Sequence, residues 1–77
     1  VAKHGIHFET AALAFEDPYA LVRLDRIIDG EERWQTIGMI DAVVVLLVAH
    51  TLDDELIRII SARKATPRER KLYEETN

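Results

Sequence analysis

Seventy-seven residues without a cysteine form at most one small domain, and they exclude a disulfide framework or a thiolate metal centre. A chain this short buries only roughly 60–65% of its unfolded surface, so its core is marginal unless the fold is tight or a partner covers part of it. The net charge of −4 argues against a general polyanion binder, and the longest apolar run, 42–49, falls far short of the about 20 residues that cross a bilayer. A cytoplasmic setting is compatible with the absence of cysteine.

In chain order, Lys3-His4-Gly5 reads as the end of a helix, with basic residues in the last turn and glycine just past it. Phe8, Ala11, Ala12 and Phe15 fall at helical spacing, which predicts an amphipathic helix over 8–16, and Asp17-Pro18 ends it. Residues 19–27 predict a strand nearer an edge, because charges interrupt it. Asp29-Gly30 marks a turn that Glu31-Glu32 could extend. A second strand follows over 33–40. Asp41-Ala42 should turn the chain into a third strand, 43–51, which is apolar on both faces and rich in β-branched residues. Asp53-Asp54 should then close a hairpin to a fourth strand, 56–64. Thr66-Pro67-Arg68-Glu69 carries a capping box with proline at the first helical position, and the helix should run to about Glu75. The expected fold is α+β: one four-stranded antiparallel sheet packed with helices.

The charge is unevenly spread. Between Arg58 and Lys71 stand six basic residues (Arg58, Arg63, Lys64, Arg68, Arg70, Lys71) against Glu69 alone, whereas the first half is acidic. Such asymmetry makes a local phosphate-attracting patch, or simply a solvated basic helix. Two-residue turns at 41–42 and 53–54 would set His50 level with Arg33 and with Ile57. One face would then carry Arg33, His50 and Arg63, and the other would set Arg58 beside Trp34 for a cation–π contact. Guanidinium groups can hold a phosphate and stabilise the extra charge of a pentavalent transition state, and a histidine can move protons near neutrality. That is the equipment for cleaving RNA through its 2′-hydroxyl without a metal. The alternatives are a structural His50, a Trp34 buried in the core, and pairing of Arg63 and Lys64 with Glu31, Glu32 or the C-terminal acids. No Gly-rich phosphate loop, nucleophile triad or zinc spacing is present.

Several segments together resemble a known family. They are Lys3-His4-Gly5-Ile6, Phe8-Glu9, Asp17-Pro18, the run from Asp29-Gly30-Glu31-Glu32-Arg33-Trp34 to Gly38, and Arg58-Ile59-Ile60-Ser61-Ala62-Arg63-Lys64-Ala65, with Glu69-Arg70 and Tyr73. The chain strongly resembles the BrnT toxins over nearly its whole length. The resemblance implies a RelE-like fold and an endoribonuclease toxin of a type II toxin–antitoxin system that halts growth and translation. It implies a BrnA-type antitoxin with a ribbon-helix-helix domain, which carries the contact with operator DNA. Neither a cofactor nor a membrane partner is expected. Relatives begin with a short strand and a helix ahead of the Lys-His-Gly segment, so the single domain over 1–77 is expected to lack both. By position and register, Arg33, His50, Arg63 and Lys64 are the candidates for phosphate binding and proton transfer, with Arg58, Arg68 and Tyr73 as RNA-binding candidates. The competing reading is a catalytically inactive module that still binds antitoxin.

Overall fold

The computed structural model describes residues 6–53 and 56–76. The helix end expected at Lys3-His4-Gly5, and most of the turn expected at Asp53-Asp54, lie outside the described residues. The first helix, α1 (Phe8–Ala12), continues as a 3-10 helix (Leu13–Glu16). Then come β1 (Leu21–Ile28), β2 (Glu31–Met39), β3 (Val45–Asp53), β4 (Leu56–Lys64) and the second helix, α2 (Pro67–Thr76). The four strands form one antiparallel meander in the order β1-β2-β3-β4, as the α+β reading expects. None of the described helices is long and apolar enough to cross a membrane.

Asp29-Gly30 makes the β1–β2 turn with φ of 50° and 79°. Positive φ at both central residues suits the right-handed twist of a hairpin. Glu31 and Glu32 therefore belong to β2 rather than to an extended loop. The β2–β3 link is longer than the two residues expected. It spans 40–44 and closes where the Ile40 amide donates to the Val44 carbonyl at 2.9 Å.

That link shifts the β2–β3 register by one residue, so Trp34 lies opposite His50 and Arg33 opposite Thr51. The β3–β4 hairpin is closed by the pair Asp53–Leu56, and a bulge at Ile60 moves the register once more. A second bulge sits at Asp25 in β1. A one-residue slip moves a whole side-chain set to the other face, so these details decide what can meet.

Each face of the sheet carries one helical layer. Ala11 and Ala14 pack on Leu46, Val48 and Ala62, with Phe15 and Ile59 against them; this is the α1 face. Phe8 and Ala12, expected on the buried stripe, are exposed. The tighter 3-10 winding brings Ala11 and Ala14, three apart, onto one line instead. Tyr73 packs on Ile37, Val45 and Leu47 on the other side, the α2 face.

Helix α2 is tied down at both ends. The Glu69 amide donates to Thr66 Oγ1 at 3.2 Å, and the Thr66 amide donates to Glu69 Oε1 at 2.9 Å, which is the capping box read from the sequence. Farther on, the Tyr73 hydroxyl donates to Asp17 Oδ2, which also accepts the Met39 amide at 2.8 Å. The Asp17-Pro18 turn thus bridges β2 and α2.

Candidate nucleic-acid interface

The observed register sorts the candidate residues onto two faces. On the α2 face the first row across the sheet is Arg26, Arg33, Thr51 and Arg58, and the next is Arg23, Gln35, Ala49 and Ser61. A third row, Leu21, Ile37, Leu47 and Arg63, runs toward α2. Helix α2 rests on the apolar end; in the two upper rows Arg26 and Arg58 are exposed, Arg23, Arg33, Gln35 and Ser61 are half-buried, and Thr51 is buried. A cleft of about 450 Å³ lies between α2 and β1, lined by Arg23, Arg68, Lys71 and Leu72 among others. Arginines from three strands and two cations of α2 therefore share one side of the molecule.

His50 belongs to the other side. It is 1% exposed on the α1 face, where Phe15 meets its ring edge-on with centroids 4.9 Å apart. Its Nδ1 lies 3.4 Å from the Thr51 carbonyl and its Nε2 is 2.7 Å from Thr36 Oγ1. With the Nδ1 proton directed at the carbonyl, Nε2 accepts from the Thr36 hydroxyl. Burial lowers the His50 pKa below the usual imidazole value, against the upward pull of the Thr51 carbonyl. The expected pocket of Arg33, His50 and Arg63 is thus not formed. The one-residue shift places His50 opposite Trp34, behind the sheet from the arginines.

The other candidates separate similarly. Lys64 lies exposed opposite Leu46 on the α1 face, at the edge strand. Arg58 and Trp34 occupy opposite faces, so the expected cation–π contact is absent. Tyr73 is 6% exposed with its hydroxyl bound to Asp17, so it presents no ring for a base to stack on. Burial and the Asp17 carboxylate together raise its pKa to about 12. Burial of the Asp17 carboxyl is outweighed by its bonds from Tyr73, Met39 and Tyr19, which hold it below the usual carboxylate value. Arg68 stays exposed on the cleft.

Several cations are already matched. Arg63 Nη1 and Nη2 donate to the two Glu69 oxygens at 2.7 and 2.8 Å, a bidentate pair. The pair holds the Glu69 pKa down to about 2, against burial, and raises that of Arg63. Pairing with an acid, one of the two readings of Arg63, is what the structure shows, and the acid is Glu69. Arg33 Nη2 lies 3.1 Å from Glu31, and Arg26 Nε 3.1 Å from Asp25. Arg23 Nε donates to Gln35 Oε1 at 2.8 Å. Among the described residues, Arg58, Arg68, Lys64 and Lys71 make no ion pair. Among the described residues three buried atoms also stand without a partner: Arg33 Nε, Thr51 Oγ1 and, on the α1 face, Trp34 Nε1. The sequence reading did not place Arg23 or Thr51 on the face of Arg33. The signal for Thr51 lay one residue away, because the true register sets it level with Arg33.

The burial of His50 gives a first test. His50→Gln keeps one polar partner for Thr36 but loses the packing on Phe15, and it should lower unfolding stability by about 1–2 kcal/mol. Any RNA-cleaving rate should stay within about twofold, since the side chain has no path to a substrate on the α2 face. The pKa of His50 is lower folded than unfolded, so its stabilising share is complete above the ordinary histidine range. It is lost as pH falls below about 6.5. Urea melts of both proteins between pH 5 and 8 check this: the variant should show a flatter acid limb, and a large loss of cleavage would return His50 to the site.

The family model for the ribonuclease toxin BrnT of type II toxin–antitoxin systems matches residues 1–69. A comparison with curated proteins gives no match.

Proposed function

The chain belongs to the BrnT family of ribonuclease toxins of type II toxin–antitoxin systems, and from that premise we propose that it is an endoribonuclease that cuts RNA on its α2 face without a metal. The family match carries this reading. The upper rows of arginine and the cleft beside α2 support the choice of face. The four-stranded antiparallel sheet between helical layers supports the RelE-like relationship.

Cleavage proceeds by attack of the 2′-oxygen on the adjacent phosphorus. The bond to the 5′-oxygen breaks, leaving a 2′,3′-cyclic phosphate on one product and a 5′-hydroxyl on the other. One proton leaves the 2′-hydroxyl and one is delivered to the departing oxygen. The phosphorane carries extra negative charge, and guanidinium groups held on rigid strands stabilise it without reorganising. Of the four arginines in the two upper rows, Arg33 and Arg58 would do so, flanking Thr51 on the neighbouring strands; Arg68 and Lys71 would guide the flanking strand along the cleft. Arg63 acts through Glu69 as a positioning residue for α2. In the cell this activity would arrest translation in the cytoplasm. A BrnA-type ribbon-helix-helix antitoxin would neutralise it, and that antitoxin would bring the complex to operator DNA.

A second reading, an inactive module that only binds antitoxin, draws on the pairing of Arg33 and Arg63 with acids. The two separate in one assay. The protein incubated with single-stranded RNA and excess EDTA should yield 2′,3′-cyclic phosphate ends. Arg58→Ala should slow that cleavage by about 10- to 100-fold at unchanged melting temperature. Intact RNA with retained antitoxin binding would leave the inactive module.

A further inference from the structure

In the upper row of the α2 face, two buried side-chain atoms have an unmet demand in common and an exposed arginine stands beside them. Thr51 stands mid-row on β3, with Arg33 directly opposite on β2 and Arg58 directly opposite on β4. Directly opposed residues on one face bring their Cβ atoms to about 4.5–5.5 Å, so three such side chains can reach one ligand. Thr51 is 3% exposed and its Oγ1 has no partner. Arg33 Nε is likewise buried without a partner. Buried polar atoms are nearly always bonded, so two orphans facing each other across neighbouring strands mark a place for a shared acceptor.

The occupancy of the Arg33 fork is also incomplete. Glu31 reaches Nη2 at 3.1 Å and leaves Nε empty. A guanidinium binds an oxyanion best through Nε and Nη2 together, as two parallel bonds. Arg58 adds a positive charge with no acidic partner among the described residues. An acceptor that takes Nε, Nη2, a hydroxyl and a second guanidinium must carry several oxygens and negative charge. A phosphodiester group meets that description. Neither arginine lines the hollow beside Thr51, whose rim is Asp29, Glu31, Glu32 and Asp53, so a phosphate held by the arginines sits over their row and outside that hollow.

We propose that Arg33, Thr51 and Arg58 hold one backbone phosphate of the RNA, and that Glu31 occupies the Arg33 fork until the phosphate displaces it. This assignment deepens the nuclease reading and rests on it for the choice of ligand.

The test uses a short 2′-O-methyl RNA, which binds but cannot be cleaved through the 2′-oxygen, and inorganic phosphate as a second probe. Both should move the Arg33 Nε–H resonance in NMR titrations. Thr51→Val, which removes the hydroxyl at similar size, should weaken 2′-O-methyl RNA binding about fivefold. Glu31→Gln should tighten it about threefold by freeing the fork, and this variant carries the test should Thr51→Val fail to fold. Unchanged affinity in Glu31→Gln and in folded Thr51→Val overturns the subsite. If the wild type cleaves RNA normally while neither variant changes binding, the subsite fails and the nuclease stands. If RNA is never cleaved yet both probes shift Arg33 Nε–H and the variants behave as expected, the subsite stands and the nuclease fails.

Discussion

Gly38→Ala should cost about 3 kcal/mol. A Cβ at Gly38 would overlap the Ala14 carbonyl oxygen and sit 3.0 Å from Ala14 Cβ. The first is a backbone atom of the 3-10 helix, so no rotamer change relieves it; the helix must lift from the sheet. That helix seals the α1 face over Leu46 and Val48, and its Phe15 covers His50. A domain of this size has roughly 4–12 kcal/mol of stability, so the variant should lose between about a quarter and three quarters of it. Gly30→Ala is the control. Gly30 has φ of 79° and nothing within 4 Å of an added Cβ, so only backbone strain of about 1–2 kcal/mol applies. Urea melts should rank wild type above Gly30→Ala and that above Gly38→Ala. Equal midpoints for wild type and Gly38→Ala would show that the helix does not rest on β2.

The contrast between these glycines shows what was legible before any coordinates. Asp29-Gly30 announces a turn by its own chemistry, and Thr66-Pro67-Arg68-Glu69 announces a capped helix; both stand where expected. Local chemistry of this kind is complete within four residues. Gly38 gave no such signal, because its role depends on Ala14, which is distant in sequence.

Register was the costliest gap. Val45, Leu46, Leu47 and Val48 are all buried, on both faces, so alternation in β3 cannot say which residue faces which way. The extra residues at 40–44, 25 and 60 then moved the pairings. Bulges leave no clear mark in a hydrophobic pattern. As a result His50, which looked like a proton carrier beside Arg33, is a core residue bonded to Thr36. Thr51, its neighbour in sequence, took the place among the arginines. The concentration of charge after Arg58 was visible in the sequence. What the sequence could not show is that Arg63 is spent on Glu69 while Arg58 has no acid partner among the described residues.

Arg63→Ala should therefore destabilise the protein by roughly 2 kcal/mol rather than act as a silent removal of an active-site charge. Glu69 has only 14% of its side chain exposed, against 34% for Arg63, and would lose both short bonds of the fork. It would keep the Thr66 amide and hydroxyl of the capping box. The Glu69 pKa of about 2 lies below its ordinary 4.5. The stabilising share of the pair is thus complete above pH 4.5 and fades as pH falls toward 2. In Arg63→Ala that acid dependence should flatten. The double variant Arg63→Ala/Glu69→Ala should be less damaged than the sum of its singles, with a coupling of roughly 1–2 kcal/mol because the pair is partly exposed to solvent. Cleavage read on the same proteins separates the two roles open to Arg63. If it only seats α2, cleavage in Arg63→Ala and in Glu69→Ala should fall in step with their losses of stability. If Arg63 itself touches RNA, Arg63→Ala should lose cleavage that Glu69→Ala keeps.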